Sequence, residues 1–103
     1  MEVRQTEAFA AWLQGLRDPR AKAKVLVRIE RLIQGNPGDI RPVGSNVSEL
    51  RIHSGPGYRI YIQQKGRRLL LLLAGGDKST QADDINTAIR LANAIEASDP
   101  CHP

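Results

Sequence analysis

The amino-acid sequence predicts one α+β domain: an N-terminal helical hairpin packed on a mainly antiparallel sheet of four to five strands, then a C-terminal helix. Three observations carry this expectation. Apolar residues recur at helical spacing on both sides of Asp18-Pro19. Between Val47 and Ala74 the period drops to two and then to an unbroken apolar run, as extended chain requires. After Thr80 the helical period returns behind Asp83 and Asp84. A chain of 103 residues is the length of a single domain.

Met1 to Gln5 reads as a short first strand with Val3 pointing inward. Thr6 is the expected N-cap of the first helix, and Glu7 favours its dipole. Phe9, Trp12, Leu13 and Leu16 form its apolar stripe, and Gly15 weakens its end. The only Phe and the only Trp lie on that stripe, which assigns them to the core rather than to base stacking. Asp18 caps a second helix with Pro19 at its first position, running to about Gln34. Val25, Leu26, Ile29, Leu32 and Ile33 are its expected buried stripe, and Gly35-Asn36-Pro37-Gly38 ends it. So short a link between the helices predicts an αα-hairpin.

Asp39 to Val43 is expected to be an edge strand, because Pro42 cannot donate to a central ladder. Gly44-Ser45-Asn46 is a loop. Val47–His53 and Tyr58–Gln63 flank the turn Ser54-Gly55-Pro56-Gly57 and form a hairpin. Gln64-Lys65-Gly66-Arg67 makes another turn. Leu69 to Ala74 then reads as a strand buried on both faces; its shortness and its bounding turns outweigh leucine's helical propensity. Thr80 is the expected cap of the last helix, whose stripe is Ile85, Ala88, Ile89, Ala92 and Ile95. Residues 98–103 are expected to be a frayed tail.

A formal charge of +4 and a pI near 9.7 point to a polyanionic partner, either nucleic acid or an acidic protein. No apolar run approaches the roughly 18 residues that span a bilayer, and Met1-Glu2-Val3-Arg4-Gln5 lacks the apolar segment of a secretory signal. A lone cysteine, Cys101, builds no internal disulfide framework. A cytoplasmic protein without membrane association is therefore expected. Arg17, Arg20, Lys22, Lys24, Arg28 and Arg31 cover the first two helical segments. They form either a solvated surface or a surface that steers the protein onto RNA phosphates.

Strand alternation supplies the candidate site. Leu50 and Ile52 share one face with Tyr58, Ile60 and Ile62; Glu49, Arg51 and His53 share the other with Arg59, Tyr61 and Gln63. Pairing of these strands sets Arg51, His53, Arg59 and Tyr61 side by side, with Lys78 following the next strand. Arginine forks and a lysine point charge suit phosphoryl chemistry, where catalysis is mainly positioning and charge stabilisation. An ordinary solvated sheet face is the competing reading. Lys78 stands before a helix N-terminus, where a bound anion would explain a cation, and Gly75-Gly76 permits a close approach. His53 is a candidate acid or base, since histidine is the side chain best suited to proton transfer near neutrality. Gly76-Asp77-Lys78-Ser79 lacks P-loop spacing, and His53 and His102, the only histidines, give no metal-ligand set. No cofactor is expected.

Glu49-Leu50-Arg51-Ile52, Gly57-Tyr58-Arg59-Ile60-Tyr61 and Leu73-Ala74-Gly75-Gly76-Asp77-Lys78-Ser79-Thr80-Gln81 with Asp84-Ile85 together resemble the RelE/ParE toxin superfamily. The likeness is to its phage-derived, HigB-like branch of addiction-module killer proteins, and it extends from Val3 to about Ile95. The resemblance implies a RelE-like fold and a metal-independent endoribonuclease acting on mRNA in the ribosomal A site. It also implies a cognate antitoxin protein as partner. By the same likeness Arg59 stabilises the crowded phosphate, Arg51 binds phosphate or transfers a proton, and Lys78 stabilises charge near the leaving oxygen. His53 is added from its face and chemistry as a proton-transfer candidate. The expected RNA contacts are Tyr61, Lys65, Gln81, Arg28 and Arg31. The chain departs from RelE itself, which has a catalytic tyrosine near its C-terminus; here Asp84 occupies that region and no tyrosine follows Tyr61. A ParE-type DNA gyrase inhibitor and a non-catalytic interaction protein are the alternative readings.

Overall fold

A computed structural model describes residues 1–97. The expected tail, with Cys101 and His102, lies outside the described residues. Along the chain come β1 (Glu2–Gln5), α1 (Glu7–Gly15), α2 (Pro19–Ile33), β2 (Ile40–Gly44), β3 (Val47–Ile52), β4 (Tyr58–Lys65), β5 (Leu69–Gly76), a 3₁₀ turn (Lys78–Thr80) and α3 (Gln81–Ala97). The five strands form one mixed sheet in the order β1-β5-β4-β3-β2. Only β1 runs parallel to its neighbour, β5; the other pairings are antiparallel. The chain is thus α+β, with a five-stranded sheet and a C-terminal helix. β2 lies at an edge, where the missing amide of Pro42 breaks no central ladder.

Helices cover both sheet faces, and alternation along the strands divides the core accordingly. Leu50, Ile52, Ile60, Ile62, Leu70 and Leu72 pack with Phe9 of α1 and Val25, Ile29 and Leu32 of α2. Each N-terminal helix makes its main packing on the sheet, α1 on β5 and α2 on β3. On the opposite face Val47, Tyr61, Leu71, Leu73 and Ala74 pack with Ala88 and Ala92 of α3. Tyr61 pairs with Ala74 but Ile62 with Leu72, so Leu73 is an extra residue in β5. This bulge turns Leu73 and Ala74, consecutive in sequence, toward the same cluster.

Thr6 caps α1 by accepting the Phe9 amide at 3.0 Å, and its hydroxyl donates to the Leu73 carbonyl at 2.6 Å. Asp18 caps α2 through the Arg20 amide. Several local expectations are corrected. A 3₁₀ turn precedes α3, capped by Asp77, which accepts the Ser79 amide at 2.8 Å, while Thr80, directly before α3, completes that capping box by accepting the Asp77 amide at 3.4 Å. β4 runs on through Lys65, and β3 stops at Ile52, one residue short of His53. Leu26 and Val3 are exposed rather than buried: the buried stripe of α2 is Ala21, Val25, Ile29 and Leu32, and β1 is the other edge strand.

Gly75 and Gly76 do permit close approach, but by the protein itself. A Cβ on Gly75 would lie 2.1 Å from Trp12 Cε3, and one on Gly76 would lie 1.7 Å from Asp84 Oδ2. The indole ring and the α3 carboxylate occupy the space that two missing side chains leave.

Candidate functional site

The register of β3 against β4 sets Arg51 opposite Arg59 and Glu49 opposite Tyr61. The face they share was expected to be polar and open. α3 instead crosses part of it, its small Ala88 and Ala92 allowing close packing, and buries Glu49, Tyr61 and Gln63. Beyond the end of that cover a cleft of about 260 Å³ remains, lined by Arg51, Ile52, His53, Gly57, Tyr58, Arg59 and Lys78. The four expected catalytic residues therefore line one cavity.

Behind it stands Glu49, with no exposed surface. Oε1 accepts from Nε of Arg41 and of Arg51, each at 3.2 Å. Oε2 accepts from the Tyr61 hydroxyl and from Gln81 Nε2, both at 3.0 Å, and lies 3.6 Å from Arg59 Nε. Burial works to raise the carboxyl's pKa, but the hydrogen bonds of Gln81, Arg51 and Tyr61 and the charge of Arg41 outweigh it and hold it below its ordinary value. Tyr61 is pushed upward, first by burial and then by its bond to Glu49. One carboxylate thus gathers two arginines of the cleft and fixes where their guanidinium groups lie. Strand alternation puts Glu49 on this face without assigning it a role; the signal for one is an acid alternating with Arg51 on one strand and facing the strand of Arg59.

Arg59 is the more enclosed of the two, its side chain 11% exposed against 30% for Arg51. Its Nη1 donates to the Gly57 carbonyl at 3.4 Å. Gly57 has φ +79°, and a Cβ there would lie 3.7 Å from Lys78 Cβ, so this glycine turns the chain between the two cations. Lys78 opens the 3₁₀ turn and is exposed. The amides expected to hold an anion are already engaged: Ser79 donates to Asp77 Oδ1 and Thr80 to the Asp77 carbonyl. Ser79's bonds hold the Asp77 carboxyl below its ordinary range. Asp84 lies on the covered side, accepting from Thr80, and burial raises its pKa.

His53 Nε2 lies 2.6 Å from Asp39 Oδ2, within hydrogen-bond distance, and the His53 side chain is 75% exposed. It also borders a second groove of about 370 Å³ between β3 and α2, lined by Ala23, Lys24, Val27, Arg28, Arg31 and Ile52. His53 and Ile52 belong to both cavities, so cleft and groove adjoin.

The expected RNA contacts divide. Arg31 is exposed in the second groove. Arg28 borders it too, but its guanidinium donates to the carbonyls of Arg51 and Pro37, and to that of Asp39 at 3.4 Å. Tyr61 cannot stack on a base, because it is wholly buried against Glu49. Gln81 spends its amide on Glu49. Lys65 lies at the far end of β4, paired with Glu96 at 2.7 Å and away from the cleft. Among the described residues no three His, Cys, Asp or Glu side chains gather as a metal-binding group, and no helix is long and apolar enough to cross a membrane.

No family model matches the chain. An uncharacterized protein of Haemophilus influenzae is 46% identical over 95 residues, which cover 92% of this chain and 96% of that protein. A match of 95 residues in a chain of 103 spans the strands and turns that carry the cleft, and the chain belongs to the same family as the Haemophilus influenzae protein.

Proposed function

We propose that the protein is the toxin of a type II toxin–antitoxin module, a metal-independent mRNA endoribonuclease of the RelE/ParE superfamily that acts on the ribosome in the cytoplasm. The observation that carries this reading is the convergence of Arg51, His53, Arg59 and Lys78 on one cleft. Three permanent or near-permanent cations around a small cavity favour a dianionic, crowded phosphate over a monoanionic one. The order of elements, with two N-terminal helices against the sheet and a helix after β5, is consistent with a RelE-like fold.

In this mechanism the ribose 2′-oxygen forms a bond to the adjacent phosphorus as its proton passes to a base. The bond from phosphorus to the 5′-oxygen breaks, leaving a 2′,3′-cyclic phosphate. Arg59 and Arg51 hold the non-bridging oxygens, and Lys78 stabilises charge on the leaving oxygen, which takes its proton from solvent. Glu49 orients both arginines without touching substrate. A cognate antitoxin would suppress activity by covering this cleft.

The ParE-type reading draws support from one feature: Arg59 is largely enclosed beside Glu49, as a structural arginine would be. Induction in cells followed by mapping of mRNA ends and DNA breaks separates the two. The nuclease reading expects cut mRNA on ribosomes and intact DNA; broken DNA with intact mRNA supports gyrase inhibition instead.

A further inference from the structure

We infer that Asp39 and His53 form a dyad in which Asp39 is a positioning residue and His53 Nδ1 takes the 2′-hydroxyl proton, an inference that rests on the nuclease reading. The 2.6 Å contact consumes Nε2, so the other ring nitrogen is left for the substrate. With the Nε2–H donated to a carboxylate, the neutral ring carries its lone pair on Nδ1, and the imidazolium formed on proton uptake remains beside a negative charge. His53 borders the cavity that holds Arg51, Arg59 and Lys78, so the base and the phosphate-binding cations share one space.

The carboxylate arrives there on a fixed segment. The Asp39 carbonyl accepts the Arg51 amide at 3.0 Å, tying this residue to the end of β3. Arg28 reaches from α2 to the Pro37 carbonyl at 2.9 Å, to the Arg51 carbonyl and to the Asp39 carbonyl. Gly38, with φ +68°, makes room for that guanidinium: a Cβ there would stand 3.0 Å from Arg28 Nη2. One arginine thus joins helix, loop and strand beneath the pair. An exposed side-chain contact of this kind adds little stability, so this framework matters chiefly for the orientation of the imidazole.

The proton ledger closes without a further reactant. The 2′-hydroxyl proton moves to Nδ1, the 2′-oxygen bonds to phosphorus, the 5′-oxygen departs with a solvent proton, and the imidazolium returns its proton to water.

The test measures cleavage of translated mRNA in a purified translation system by the full chain and its variants. His53→Gln should lower kcat by about 100-fold and Asp39→Asn by about 10-fold, both with KM little changed. In the His53→Gln background Asp39→Asn should add nothing, and imidazole should restore part of the activity of His53→Ala. An Asp39→Asn loss that persists in the His53→Gln background, or full activity in either single variant, overturns the dyad while wild-type cleavage leaves the nuclease reading standing. Wild-type protein that cuts nothing overturns both.

Discussion

Glu49 is the residue on which the geometry of the cleft depends. Removing one partner of a buried ionic group leaves the others uncompensated, so Glu49→Gln should cost about 3 kcal/mol in urea unfolding. Its carboxyl is held below the ordinary value of 4.5 in the folded chain. The folded state therefore favours the ionised form: this stability is complete above that value and is lost as pH falls through the lower folded value. Acid unfolding of Glu49→Gln should have a shallower pH dependence below about pH 4.5 than wild type; equal slopes would remove Glu49 from the account. Arg59→Ala should lower cleavage by about 100-fold or more while leaving a folded protein that still binds antitoxin. Full toxicity of that variant would contradict the role given to Arg59.

At the scale of elements, two glycines make a controlled comparison. Gly75→Ala drives a methyl group into the Trp12 ring and should destabilise the protein by about 1–3 kcal/mol. Gly15, at the end of α1, has nothing within 4 Å of an added Cβ, and its Ala variant should be neutral or more stable by about 0.5–1 kcal/mol. Thermal unfolding of the two variants checks both signs. The strands, their faces and the sharing of one face by Arg51 and Arg59 were legible because a period of two needs only neighbouring side chains. The fate of Tyr61 and Gln81 was not legible, since it depends on where α3 lies across the sheet, a long-range choice set by Ala88, Ala92 and the bulge at Leu73. Gly75-Gly76 marks a place of close approach in the sequence, but spacing points there to a bound anion and cannot say that Trp12, 63 positions earlier, is the group approaching Gly75.

For the whole molecule, Lys24, Arg28, Arg31, Arg51, Arg59 and Lys78 border the adjoining cleft and groove. Arg31→Ala should weaken RNA binding roughly uniformly across sequences and reduce the salt slope of binding by about one; an unchanged slope would mean that this arginine meets no phosphate. The proposed nuclease rests on cations from two paired strands and the turn after the third closing around a single scissile phosphate. Its most direct test is end-chemistry mapping of mRNA translated with the purified protein. Cuts on ribosome-bound message that leave a 2′,3′-cyclic phosphate and a 5′-hydroxyl, lowered about 100-fold or more by Arg59→Ala, are expected; intact message, or cuts with other termini, would overturn the nuclease reading.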